Sequence, residues 1–395
     1  MKKTLRNFKS HIFLGFFSVA LLSFINTGPV FSASVKTQPG PLPEIKTVWT
    51  FPNENPTPAG NEKKTERKEE FVFAFSPVID ETGENIFLVS SDTVFKLRSA
   101  DGTEIKNIKL NSSVTVQPIY DSLKLFICDS NNTVICLDSS LNDKPIWKTQ
   151  IGNAQSIALL PTPKGIVSVC KDGTIYLLGK DAGDIVWQCN IGEELFFLPN
   201  LDEQDGLLYT LSVKGGLFSV KLKNGTFIKK NTFPKRLTSP PVFYDRLLYL
   251  AFEGGVFTAF NPEKNKNKWE LTLINDIAAP AVIYDDSVCF ATLSNQVFCC
   301  DKDSGSLEGR FSGKRRFYLT PAVCGDLLFA FGHHDGILAA NLEKGKTIGW
   351  IEHSGNPTSS PIVLAQRKMI LIIFDNKQLK ALDYSEVEKS QLIDD

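Results

Sequence analysis

Beyond the first seventy residues, the chain is a succession of short apolar runs cut by Gly, Asn and Asp. Leu247–Leu248–Tyr249–Leu250 is one run, and Val256–Phe257–Thr258–Ala259–Phe260 is the next, with Glu253–Gly254–Gly255 between them. Runs of this length, rich in Val, Ile, Leu, Phe and Tyr, predict β-strands joined by tight hairpins. After the N-terminal apolar segment, nothing shows the 3.6-residue period of an amphipathic helix.

The runs recur on a long period. Pro77, Pro118, Pro161, Pro199, Pro241, Pro280, Pro321 and Pro361 are separated by 41, 43, 38, 42, 39, 41 and 40 residues. Trp147, Trp187, Trp269 and Trp350 are spaced by one, two and two such periods, and Gly102, Gly183, Gly225, Gly305 and Gly345 keep similar time. Each period reads alike: a short strand after the Pro, a second apolar strand, a polar turn, a third strand, and a fourth strand around the Trp. A four-stranded antiparallel meander of about 40 residues cannot cover both of its apolar faces alone, and radial stacking covers them. The predicted fold is all-β, an eight-bladed β-propeller.

The eighth repeat runs through Leu379–Lys380–Ala381–Leu382–Asp383 and then lacks a Trp strand. Lys46–Thr47–Val48–Trp49–Thr50–Phe51 is an orphan fourth strand at the other end of the chain. It is expected to complete blade eight, closing the ring and hiding strand edges that would otherwise invite aggregation.

Lys2, Lys3, Arg6 and Lys9 precede an apolar run from Ile12 to Ile25, and small residues Ser32, Ala33 and Ser34 follow. That order reads as a secretory leader cleaved near Ser32 to Ser34, with an uncleaved N-terminal anchor as the alternative, and the run is shorter than the roughly 20 residues that span a bilayer. The domain plan is a leader at 1–34, a tail at 35–45, the closing strand at 46–51, a Pro-rich charged linker at 52–72, blades over 73–389 and a tail at 390–395. The mature protein is expected to be exported, periplasmic or secreted, monomeric, and without an integral membrane domain once the leader is removed. Lys plus Arg number 43 and Asp plus Glu 44, a net charge of −1. A dedicated nucleic-acid partner needs excess positive charge, so that class is set aside.

Lys171–Asp172–Gly173–Thr174–Ile175–Tyr176–Leu177, with Gly183 and Trp187, resembles the PQQ-type propeller repeat. The resemblance covers nearly all of the mature chain. It implies the propeller fold and a Trp docked between blades, and it spans quinoprotein dehydrogenases as well as non-enzymatic BamB-like scaffolds of outer-membrane protein assembly. BamB-like members normally carry a lipidated Cys after the leader, and none is present here. Dehydrogenase members use a quinone, a divalent metal and a catalytic Asp, built on long insertions between blades. Spacings of 38 to 43 leave no room for such insertions.

Candidate chemistry is sparse. Most of the eight Cys sit inside strand patterns and read as buried free thiols acting as small hydrophobes. The adjacent Cys299–Cys300 resembles the vicinal disulfide of the dehydrogenases, but it lies within an expected strand where neighbouring side chains point apart. His333–His334 falls in a turn, and four His in all cannot make a histidine-rich metal centre. No catalytic, cofactor-binding or metal residues are assigned, and no cofactor is expected. One surface feature remains. The fourth-to-first and second-to-third connections of a blade share a face, and on it fall Lys235, Arg236, Lys314, Arg315, Arg316, His333 and His334 as a candidate partner-binding rim. The expected function is an exported, non-catalytic protein-interaction scaffold, with envelope or outer-membrane protein assembly as its candidate setting. The alternatives are a ligand-binding or sensor propeller and a PQQ-dependent dehydrogenase.

Overall fold

In the computed structural model each repeat forms a four-stranded antiparallel sheet, and eight such sheets build the propeller. The structure describes residues 46–52, 71–275, 277, 279–314, 316–332, 336–351, 353 and 355–387, with the backbone of 20–22. Blade 5 is representative: Val242–Tyr244, Leu247–Phe252, Val256–Asn261 and Lys266–Asn275 pair in that order. Blades 1 to 4 span 78–109, 119–150, 156–190 and 200–232, and blades 6 and 7 span 282–312 and 322–351. First strands of neighbouring blades touch one another and form the inner wall.

Blade 8 combines Ile362–Leu364, Met369–Phe374 and Gln378–Asp383 with Thr47–Phe51 as its outermost strand. Trp49 lies opposite Ala381 and Phe51 opposite Leu379, so the two chain ends close the ring as the sequence predicts. The leader, the 35–45 tail, nearly all of the linker and the 390–395 tail lie outside the described residues. The exception within the leader is Ala20–Leu22, whose backbone pairs antiparallel with Leu273–Asn275 of blade 5.

Second and third strands are buried on both faces, which is why they read as unbroken apolar runs rather than alternating ones. In Thr174–Leu178 of blade 3, Ile175 and Leu177 join the core shared with blade 4, while Tyr176 and Leu178 join the core shared with blade 2. Among the described residues one apolar cluster fills each of the eight seams.

Four seams share one device that explains the spacing of both Trp and Gly. The indole N–H of Trp49, Trp147, Trp187 and Trp269 donates to the carbonyl of Ser99, Lys180, Leu222 and Lys302 in the next blade, at 3.1, 3.0, 3.0 and 2.9 Å. Three residues after each carbonyl stands Gly102, Gly183, Gly225 or Gly305, with φ between +68° and +73°. Each of these glycines lies under its indole; a Cβ at Gly102 would sit 2.5 Å from the Trp49 ring, and one at Gly225 2.7 Å from Trp187. Glycine is required twice over here, by the left-handed backbone and by the close ring. The Trp49–Gly102 pair is the ring seam itself.

Trp350 departs from this scheme despite its 81-residue step from Trp269. Trp269 lies opposite Ala259, whereas the corresponding Ala339 faces Gly349 and Trp350 faces Leu338. A one-residue shift flips a strand side chain to the other face. Trp350 therefore turns back onto the blade 6 side, where it stacks on Phe317 at 6.3 Å.

Candidate functional site

Isolated bridges fix which loops share a face. Leu237 pairs with Phe252 and Phe317 with Gly332, so each fourth-to-first connection runs beside the second-to-third turn of the blade that it enters. Lys235 and Arg236 are exposed in the connection from blade 4 to blade 5, and Lys314 and Arg316 in the one from blade 6 to blade 7. Arg236 forms an ion pair with Glu253 at 3.6 Å, and Lys314 Nζ lies 5.9 Å from the Trp350 ring centroid. The two pairs occupy one face but different seams. Arg315, His333 and His334 lie outside the described residues.

The same face carries an apolar spot that sequence reasoning missed. Phe196, in the connection from blade 3 to blade 4, is 69% exposed, and Val213 in the adjoining turn is 48% exposed. Val213 N–H donates to Glu194 O at 2.8 Å, and Leu195 bridges Ser212. Phe197 packs edge-on against Phe196 at 5.2 Å and reaches the blade 4–5 core. Lys229 bonds Glu193 at 2.6 Å and the Ser212 hydroxyl also donates to it, which holds that carboxyl below its ordinary value. Ion pairing and bridging thus hold an exposed aromatic in place. The signal available in the sequence was the pair Phe196–Phe197 in a connection where polar residues are the rule. Phe233 N–H donates to Gly215 O at 2.9 Å, which ties the end of the blade 4 outer strand to the turn that carries Val213.

The cysteines divide as the strand register dictates. Cys289 and Cys299 lie directly opposite on neighbouring strands of blade 6, with Cα atoms 4.1 Å apart, and form a disulfide. Cys300 points to the other face, into the blade 5–6 core, and is free, so the adjacent pair is not bonded to itself. Burial pushes the thiols of Cys128, Cys136, Cys170 and Cys300 up to about 12, away from the thiolate form that reacts. Among the described residues no three His, Cys, Asp or Glu side chains converge on a point. Cys299 is committed to Cys289, so the adjacent-cysteine disulfide that the dehydrogenase resemblance implied is not formed. Among the described residues no helix is long and apolar enough to cross a membrane.

A PQQ-repeat family model described as outer membrane protein assembly factor BamB matches residues 171–386, more than half of the chain. BamB from Moraxella catarrhalis superimposes with a TM-score of 0.63 at 14% identity, covering 80% of this chain and 97% of that one. Saccharomyces cerevisiae Sqt1 gives 0.68 at 10%, covering 86% and 98%, and the computationally designed Ika8 protein gives 0.66 at 10%, covering 80% and 96%. Identities this low establish a common propeller fold and nothing finer. No curated protein matches the chain by sequence.

Proposed function

Because the chain belongs to the family described as outer membrane protein assembly factor BamB, we propose that it is an exported, non-catalytic propeller that docks other proteins during assembly at the outer membrane. The observation that carries this reading is the exposed Phe196 and Val213, held on the loop face that also bears Lys235 and Arg236. A rigid aromatic beside a positive rim supplies both parts of a protein interface: a desolvating anchor and charges that steer encounter. Lys314, Arg315, Arg316, His333 and His334 extend this candidate rim in the proposal.

The basic, apolar, small-residue order of the first 34 residues supports export, as does the Cys289–Cys299 disulfide, which suits an oxidising compartment. In this reading the mature chain acts as a monomer. The domain plan of leader, closing strand, linker and eight blades belongs to the same reading.

The test is capture of envelope proteins by the wild-type chain against a Phe196→Asp/Val213→Asp double variant. Capture should fall about tenfold, while the melting temperature stays nearly unchanged because both side chains are exposed. Equal capture by the two proteins would remove the rim reading. Oxidation of an alcohol or sugar above a heat-killed control, with pyrroloquinoline quinone and calcium added, would remove the non-catalytic reading.

A further inference from the structure

The outer strand of blade 5 is unlike the other seven. Lys266–Asn275 runs for 10 residues, against 4 to 6 in the other blades. Elsewhere the last residue of the outer strand is still paired with its own sheet, as Ser312 is with Gln296 and Thr232 with Gly216. In blade 5 the ladder with the third strand ends at Thr272 and Val256, so Leu273, Ile274 and Asn275 overhang the sheet. The overhang is held extended from both ends. Leu273 N–H donates to Gly255 O at 3.0 Å, and Ile277, just beyond Asn275, bridges Thr292 of blade 6.

Charged side chains, Lys above all, keep edge strands from pairing with other chains. In this strand Lys266, Lys268 and Glu270 all lie on the part backed by the blade, and the overhang carries no charge. Leu273 is buried in the blade 5–6 core, whereas Ile274, at 70%, is the most exposed large apolar side chain among the described residues. The edge already takes a further strand. The backbone of Ala20–Leu22 pairs antiparallel with it, Ala20 opposite Asn275 and Leu22 opposite Leu273, which makes this sheet five-stranded among the described residues where the other seven have four. The sequence from Ile12 to Ile25 that contains this segment has no charged residue.

We infer that the overhang Leu273–Asn275 is a strand-acceptor site which, once the leader is removed, takes an extended, charge-free apolar segment of another exported protein. The incoming segment runs antiparallel to the overhang and exchanges backbone N–H and C=O groups with it, and Ile274 adds apolar contact. Strand addition draws its affinity from the main chain, so the site selects for extended apolar character rather than for one sequence. An edge already fixed in the extended form spares the complex part of the ordering cost. The inference rests on the export reading, because a leader that stays attached keeps the edge occupied, and it concerns a different place on the ring from Phe196.

The probe is a fluorescein-labelled peptide with the sequence of residues 17–23, Phe-Ser-Val-Ala-Leu-Leu-Ser, flanked by two lysines at each end for solubility. Its counterpart carries N-methyl groups on both leucine nitrogens. Successive residues of a strand direct their N–H groups to opposite sides, so one of the two methyls meets the acceptor edge whichever way the peptide sits. The chain released from its leader should bind the plain peptide about tenfold more tightly than the methylated one. The chain with its leader attached should bind the plain peptide about tenfold more weakly than the released chain, because its own segment competes at high local concentration. A photoreactive leucine analogue in the peptide should cross-link within 272–277. Ile274→Lys, at an exposed position, should lower affinity for the peptide without changing the melting temperature. Phe196→Asp should leave peptide binding unchanged, which separates failure of this site from failure of the rim. Equal binding of the two peptides, equal binding by the two forms of the chain, cross-links elsewhere on the ring, full binding by Ile274→Lys, or loss of binding in Phe196→Asp would overturn the inference.

Discussion

Replacing Gly102 with alanine measures what holds the ring shut. Gly102 and Gly345 occupy the same turn position, with φ +68° and +60°, so alanine meets the same left-handed backbone at both. That shared term costs about 1–2 kcal/mol. Gly345 has open space around it, and nothing more is expected there. At Gly102 the new methyl would sit 2.5 Å from Trp49 Cε3, so the indole must withdraw by about 1 Å to reach ordinary van der Waals contact. Withdrawal weakens the 3.1 Å bond from Trp49 Nε1 to Ser99 O, worth about 0.5–1.5 kcal/mol. Overpacking adds about 1–3 kcal/mol. Gly102→Ala should therefore destabilise by about 1.5–4.5 kcal/mol more than Gly345→Ala, read from urea midpoints with unchanged slopes. Trp49→Leu should absorb part of that excess, so the Gly102→Ala/Trp49→Leu double variant should be more stable than the summed single effects imply. Equal losses for the two glycine variants would show that the Trp49 contact does not carry the closure.

Three further outcomes follow from the same geometry. Native protein treated with iodoacetamide at about pH 8 should leave Cys128, Cys136, Cys170 and Cys300 unmodified by mass spectrometry, because burial keeps them as thiols; fast labelling of any of them would contradict the packing. Ser140 holds the carboxyl of Asp138 below 3.8, Ser304 does so for Asp301, and Lys268 with Lys302 for Asp303. Their folded-state values lie below the unfolded one, so their stabilisation is present above pH 3.8 and lost as pH falls through the folded values; urea midpoints that do not drop on acidification below 3.8 would refute this. Arg315→Glu/Arg316→Glu should weaken partner capture and flatten its salt dependence while leaving melting nearly unchanged, and capture that stays equally salt-sensitive would reduce the rim to solvated loops.

The fold was legible because its physical causes recur in sequence. Prolines mark the inner strands, and a Trp followed by a turn Gly in the next repeat marks a seam. Trp49 gave away the closing strand because it carries the same mark at the opposite end of the chain. Features that depend on register were not legible. Trp350 keeps the period to within one residue, yet that residue decides which blade it faces. Cys289 and Cys299 lie symmetrically about Ser294, at the centre of their hairpin, so pairing across the turn, not adjacency to Cys300, decides the disulfide. Exposure is equally hidden: nothing in the order of residues separates Phe196, facing solvent, from Phe197, packed inward.

What repeats in this chain is accounted for by the seams, and this directs attention to what does not repeat. A tryptophan over a turn glycine, or an apolar pair between two sheets, is already explained by burial and hydrogen bonding at its own interface, and such contacts leave little surface for a partner. Departures from the repeat have no such explanation. Phe196 stands in a connection where burial is not on offer, and its ring meets water rather than a neighbouring sheet. That position does not strengthen its own seam, because it exposes apolar surface to water. In a ring whose seams otherwise bury their apolar side chains, this departure is what the docking proposal for Phe196 rests on.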